Sequence, residues 1–466
     1  MNRPLIVRAP RNPAAPNQSA GPKPSAESSW VRDSRWAPVT GFMVWLLVAY
    51  LSVTSPFYFS SGGEDAQTVV EASSEASADP VARAVKLGLL VLSLGLVLWR
   101  AKLAWLVARQ LNPFFLAFLA LVPFSVLWSI EPTATTARFV SILSIVLVSM
   151  AFTLTGWHRA RFQNVVRPIL TLILIGSLIA GIVAPGIAIE TGDGPLKNAW
   201  RGLLSQKNQL GMMASFGLIL WLHAWINREV RWWKALLGAA VSGACVLLSR
   251  SSTALLATTL TTLFLGLIMV APANLRRYMP YMVSAFALLV VVYALAVLNI
   301  IPGFSVLLEP IAAMTGKDLT FSSRDQIWAI IKEHIEYSPF LGTGYGAYWI
   351  GAFQSSPSYA FVTRLYYYPT QSHNGYLEIT NDLGLVGLVC LLGYLLYWVR
   401  QSLRLMTHDR RQATLFLALF FQQAITNLSE STWLAINSSF AFVVCTLATC
   451  SLARALLEQR LKRFYG

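Results

Sequence analysis

The chain has 466 residues, 55% of them hydrophobic and 12% charged, with a mean hydropathy of +0.55. Soluble domains carry about a quarter charged residues, so this composition excludes an ordinary soluble enzyme, and its apolar content excludes a disordered or fibrous chain. The net charge of +15 does not point to nucleic acid, because the cations lie in short stretches between apolar runs and no basic, aromatic-interleaved soluble segment exists.

Residues 1–39 are rich in Pro, Ser and Ala and carry Arg3, Arg8, Arg11, Lys23, Arg32 and Arg35, with no apolar run directly after Met1. This predicts a flexible cytoplasmic tail rather than a signal peptide. Twelve apolar runs near the length of the hydrocarbon core follow, at 40–58, 84–99, 113–130, 135–155, 167–187, 209–226, 233–249, 252–271, 279–301, 379–399, 412–428 and 434–455. The expected fold is an all-α polytopic integral membrane protein, with nine spans in 40–301 and three in 379–456. Cys245, Cys390, Cys445 and Cys450 all fall inside apolar runs and no CxxC pair occurs, so neither a disulfide framework nor a zinc site is expected.

Charge orients the bundle. Most of the 36 Lys and Arg fall in the tail and at 100–109, 159–167, 228–234, 276–277, 400–411 and 454–463. The positive-inside rule makes these the cytoplasmic segments, puts both termini inside, and leaves 457–466 as a basic cytoplasmic end. Two external regions then stand out: the loop Gly192–Gly211 before the sixth span, and the long stretch 302–378. Loops this long are functional or disordered, and the second holds Trp328, Trp349 and many Tyr and Phe, so it is expected to fold as an external cap.

Within the cap, Ser322 and Asp325 have the spacing of a capping-box variant, and Ile327, Ile330, Ile331 and Ile335 share a helix face. Ser338-Pro339 ends that helix. Gly342-Thr343-Gly344-Tyr345-Gly346 suits a tight turn and, lacking a βαβ context, is not a dinucleotide fingerprint.

His373 is the histidine placed in a polar external loop directly before a span, in Gln371-Ser372-His373-Asn374-Gly375-Tyr376-Leu377-Glu378. A neutral imidazole there is either a general base for a sugar hydroxyl or an ordinary loop histidine. Arg201 and Lys207 lie in the other external loop with Asn208 beside them, and Arg250 sits in the short connection Ser249-Arg250-Ser251-Ser252. Guanidinium forks suit a diphosphate, though interfacial arginines also snorkel to lipid headgroups. No DxD motif, external carboxylate pair or Walker A sequence occurs, so no metal, cofactor or ATP is expected. The predicted spans are nearly free of charge, which argues against an ion-coupled transporter.

Several motifs then resemble, in order, the O-antigen ligase/Wzy polymerase superfamily. They are Ser125-x-x-Trp128-Ser129-x-x-Pro132, Arg201-Gly202 with Lys207-Asn208-x-Leu210-Gly211, Ser249-Arg250-Ser251-Ser252-Thr253, and Ser323-Arg324-Asp325-x-x-Trp328. Ser338-Pro339-x-x-Gly342-x-Gly344-x-Gly346, His373-Asn374-Gly375-Tyr376-Leu377-Glu378 and Leu383-Gly384-Leu385-Val386-Gly387-Leu388 complete the series. The pattern is most similar to the ExoQ-type exopolysaccharide polymerases. The resemblance implies about twelve helices with a large periplasmic loop and an inverting, metal-independent glycosyltransferase in the bacterial inner membrane. Its donor would be an undecaprenyl-diphosphate-linked oligosaccharide, entering from the membrane lipids, with a chain-length regulator and export machinery as further partners.

By the same resemblance, His373 would be the general base, Arg201 and Arg250 would neutralise the departing diphosphate, and Lys207 and Arg324 would bind or position it. Asn208, Asn374, Tyr376 and Glu378 would bind sugar or orient His373, with packing an equal alternative for Asn374 and Glu378. The cap aromatics Tyr345, Tyr348, Trp349, Tyr359, Tyr366, Tyr367 and Tyr368 would either stack on sugar rings or form an interfacial belt. A ligase acting on lipid A core or protein, a transporter or flippase, and a non-catalytic scaffold are the competing readings.

Overall fold

A computed structural model describes residues 34–52, 80–190, 198–270, 272–297, 324–434 and 439–465. The tail before 34, the segment 298–323 and the cap-helix start at Ser322 lie outside them. The described residues are helical, with no β-strand among them; an antiparallel bridge joins Ile189 and Trp200.

Fifteen helices are labelled here in chain order. They are α1 (Ala37–Ser52), α2 (Pro80–Trp99), α3 (Ala101–Ala108), α4 (Pro113–Phe124), α5 (Pro132–Thr155), α6 (Arg161–Val183), α7 (Lys207–Ile226) and α8 (Trp232–Leu248). Then come α9 (Ser252–Val270), α10 (Met279–Val297), α11 (Arg324–Tyr337), α12 (Ala360–Leu365), α13 (Gly375–Met406), α14 (Arg410–Thr426) and α15 (Ser439–Tyr465). Each of the twelve predicted apolar runs overlaps one of these helices. Six helices are long and apolar enough to cross a membrane, or seven if α2 and α3, bent by 92°, count as one span. Four more are shorter apolar helices, and α14 is a short helix buried in the bundle.

Large apolar side chains point outward all along the bundle, among them Val91, Leu98, Leu127, Ile182 and Leu263. A water-facing surface would not tolerate so many; a lipid-facing one requires them. At the centre, α15 is buried from Phe440 to Leu457 and packs on α1, α5 and α13. Helix starts follow local chemistry. Asn112 accepts hydrogen bonds from the Phe114 and Phe115 amides to cap α4, with Pro113 in its first turn, where no amide hydrogen is needed.

The cap is held by two sets of contacts. Ile327, Trp328, Ile330 and Ile331 of α11 form a small core with Tyr348, Trp349, Phe361 and Leu377. The second set uses a break in α13. Gly384 has φ +62 and ψ −161, a conformation open to glycine, and the Phe340 backbone passes so close that a Cβ there would meet it at 2.2 Å. The freed amides of Leu385 and Val386 donate to the Pro339 and Phe340 carbonyls at 2.8 and 3.2 Å. The Asp382 carboxylate accepts the Gly346 amide at 2.7 Å. Much of the Ser-Pro-Gly-rich motif and the Leu-Gly-Leu motif therefore serves to lock the cap onto α13.

Candidate active site

Asn374 folds the site. Its side-chain oxygen accepts from the Tyr376 and Leu377 amides at 3.0 and 3.1 Å and starts α13 at Gly375, four residues before the sequence boundary of 379. Tyr376 and Glu378 therefore lie in the first turn of a helix rather than in a loop. Gly375 packs against Asn427, whose Oδ1 would stand 2.0 Å from any Cβ. That same oxygen accepts from the Thr432 and Trp433 amides at 2.9 and 3.1 Å, so Asn427 fixes the loop between α14 and α15 beside the start of α13.

This loop carries Glu430, and Glu430 is the centre of the cluster. Its Oε1 accepts from Asn208 Nδ2 at 2.7 Å and from Arg324 Nη2 at 2.9 Å. Its Oε2 accepts from Gln371 Nε2 at 3.2 Å and lies 3.2 Å from His373 Nδ1. Arg324 also donates to the Ser429 carbonyl. Burial pushes the Glu430 carboxyl up, but the hydrogen bond and charge of His373 and the charge of Arg324 outweigh it and hold it below the ordinary value. Glu430 is thus an anion at neutral pH, with its four side-chain donors drawn from α7, α11 and the loop before α13.

A carboxylate only accepts hydrogen bonds, so His373 Nδ1 must carry the hydrogen that faces Glu430. In the neutral ring this leaves the lone pair on Nε2, which has no hydrogen bond among the described residues. The His373 side chain is 21% exposed, against 6% for Glu430, so the ring reaches from a buried anion toward open space. His373 has φ +53, a left-handed backbone that few side chains adopt.

The remaining candidates surround this centre. Glu378 accepts the Ser372 amide at 2.8 Å and the Ser431 hydroxyl at 3.3 Å, so it joins the His373 loop to the Glu430 loop from below. Tyr376 is fully buried, with its hydroxyl toward the Ala424 carbonyl at 3.5 Å. Asn374, Tyr376 and Glu378 therefore frame the site. Lys207 opens α7 beside Asn208 and is partly exposed. Ser429 donates to Thr253 Oγ1 at 2.8 Å, which brings the turn of Arg250 against the Glu430 loop. Arg250 is exposed and has φ +48. The Trp200 amide donates to the Leu248 carbonyl at 3.0 Å, stitching the Arg201 loop to the same turn. Arg201 Nε donates to the Ile187 carbonyl at 2.9 Å; burial lowers its pKa, with Glu190 acting against that. The structure thus joins His373, Arg324 and Asn208 directly through Glu430, and places Lys207, Arg250 and Arg201 on the connections beside them.

Residues 237–392 match the family model described as O-Antigen ligase. The chain is also 26% identical over 331 residues to the exopolysaccharide production protein ExoQ of Rhizobium meliloti (strain 1021), covering 67% of this chain and 71% of that protein. The chain resembles the O-antigen ligase/Wzy superfamily and, within it, ExoQ. The stretch matched to the O-antigen ligase family takes in Arg250, Arg324, His373, Asn374, Tyr376 and Glu378; Arg201, Lys207 and Asn208 precede it and Glu430 follows it.

Two features of this ligase-like site escape sequence reading. Glu430 stands 57 residues from His373, in a short turn that reads as an ordinary solvated connection. Its signal was a lone acid on the same predicted side as His373, between two apolar runs. The cap aromatics also divide. Tyr345, Tyr348 and Trp349 are buried in packing, Tyr359 and Tyr368 are partly buried, and Tyr366 and Tyr367 are exposed. Neither sugar stacking nor an interfacial belt describes the buried three, because the cap needs them as its core.

Proposed function

We propose that the protein is a polysaccharide polymerase that transfers undecaprenyl-diphosphate-linked glycan onto a hydroxyl of a second lipid-linked repeat unit. The chain is read as twelve spans in a bacterial inner membrane, with both termini cytoplasmic and the His373 cluster on the periplasmic face. A chain-length regulator and export machinery would act with it. The observation that carries the reading is the His373–Glu430 pair, with Nδ1 turned to the carboxylate and Nε2 left for a substrate.

In this reading His373 Nε2 takes the proton of the acceptor hydroxyl while its oxygen forms a bond to the donor's anomeric carbon. The bond from that carbon to the diphosphate breaks, and the electron pair leaves with the diphosphate. A single displacement inverts the anomeric centre. Negative charge grows on the phosphate, and fixed guanidinium groups at Arg201 and Arg250, with Lys207, meet it. Positive charge from side chains makes the step metal-independent, and the sugar–diphosphate bond supplies the driving force. Glu430 stabilises the imidazolium and holds the ring in one tautomer, as the carboxylate does in a hydrolase triad.

A ligase uses the same chemistry with another acceptor, and the description of the matched family favours it. Lipid-linked glycans profiled by mass spectrometry in a deletion strain separate the two. Single repeat units accumulating on the lipid, with long polymer lost, support the polymerase. Long polymer stranded on the lipid means a ligase.

A further inference from the structure

Of the six non-glycine residues with a left-handed backbone among the described residues, three are Arg250 at φ +48, His373 at φ +53 and Tyr366 at φ +60. Two of them are the proposed cation and base. Strained positions persist where the surroundings hold them, and they cluster at functional sites. A bulky aromatic in this conformation is unusual, since asparagine or glycine would fit it better.

Tyr366 caps the C-terminus of α12 and is 90% exposed. It is fixed from both sides. Two residues before it, Arg364 grips Glu333 of α11 through two hydrogen bonds of 2.5 and 3.2 Å. Two residues after it, the Tyr368 hydroxyl lies 2.8 Å from Ser358 Oγ and accepts the Gly351 amide at 3.0 Å. Trp349 meets the Tyr368 ring edge-on at 6.0 Å. With 364 and 368 anchored, the backbone turn drives the Tyr366 ring outward. Tyr367 beside it is 41% exposed; burial raises its phenol pKa, and the nearby Arg324 guanidinium pulls the other way. Arg324 in turn binds Glu430, the partner of His373.

We infer that Tyr366 and Tyr367 form a stacking platform for a pyranose ring of the acceptor glycan, on the cap beside Arg324 of the Glu430 cluster. The inference rests on the proposed glycosyl transfer. An aromatic face presents an apolar surface to the C–H face of a sugar, and the phenol hydroxyls reach its polar rim. An acceptor approaching His373 needs such a surface, because a hydroxyl must be held within hydrogen-bond reach of Nε2 before it is deprotonated.

The test uses full-length protein in nanodiscs, with the lipid-linked repeat unit as donor and the free repeat oligosaccharide, released from the host polysaccharide, as acceptor. Tyr366→Gly removes the ring and suits the left-handed backbone, so it should fold at least as well as wild type. It is expected to raise the acceptor KM about tenfold with kcat little changed, while Tyr366→Trp keeps the wild-type KM. Saturation-transfer NMR should lose the oligosaccharide signal in Tyr366→Gly and keep it in His373→Gln. An unchanged KM and NMR signal in Tyr366→Gly, with transfer abolished in His373→Gln, would overturn the platform and leave the proposed function standing. Full transfer by His373→Gln would instead remove the reading on which it rests.

Discussion

His373 Nδ1 lies 3.2 Å from the Glu430 carboxylate, although α13 and α14 separate the two residues along the chain. The contact joins the loop before α13 to the loop after α14. Glu430→Gln keeps the shape and removes the charge, and leaves Arg324 beside a neutral group. Transfer should fall by about 100-fold, within what a positioned general base supplies. The loss should appear in kcat more than in KM, measured with purified protein at saturating donor.

In the proposed reaction Arg250 meets the charge that develops as diphosphate leaves. Arg250→Ala should lower transfer by roughly 100- to 1,000-fold, the size of one lost transition-state donor. Arg250→Lys keeps a charge without the planar fork and should fall between. Equal rates for all three proteins would remove Arg250 from the site. Steady-state kinetics on the reconstituted protein decides this.

Gly375→Ala tests the frame rather than the chemistry. The new methyl would meet Asn427 Oδ1 at 2.0 Å, where that atom already accepts two amides of the Glu430 loop. A cost of about 1–3 kcal/mol is expected from overpacking, visible as a lower melting temperature in detergent. Transfer should drop with it, because the Glu430 loop moves when Asn427 does.

The helices were legible because apolar runs of membrane length leave little choice: in lipid, every backbone donor and acceptor must be satisfied within the segment. Hydropathy alone places the start of α13 four residues late. Gly375 and Glu378 are small or polar yet helical, held by the Asn374 cap and by buried hydrogen bonds that hydropathy does not register. His373, Arg324 and Asn208 were found through motif order, but not their meeting point. Glu430 becomes special through folding alone, since four donors from distant segments converge on it. Tyr345, Tyr348 and Trp349 are buried for the opposite reason: a folded cap needs its own aromatic core, and composition does not separate core from binding surface.

The cap also carries a pH dependence. Burial lowers the pKa of His334, with the hydrogen bond to Asn381 Oδ1 at 2.8 Å acting against it. Its folded value lies below its unfolded one, so the neutral ring is the form the fold prefers. The corresponding stability is present above the unfolded value of 6.5 and is lost as pH falls through the lower folded value. Glu430, also held low, stays ionised there and keeps its own contacts. Limited proteolysis of the cap should therefore speed up on mild acidification below pH 6.5, and His334→Gln should flatten that response. Cleavage equally slow at every pH above the carboxylate range would contradict it.

In the proposed reaction His373 takes the acceptor proton without help from a metal. The direct measurement is polymer formation by protein reconstituted with lipid-linked repeat units in the presence of a chelator, comparing wild type with His373→Gln at equal folded amounts. Wild type is expected to elongate at a rate that chelation does not slow, and the variant to lose at least about 100-fold. Wild-type rates from His373→Gln, or elongation that stops on chelation and returns with a divalent ion, would contradict it.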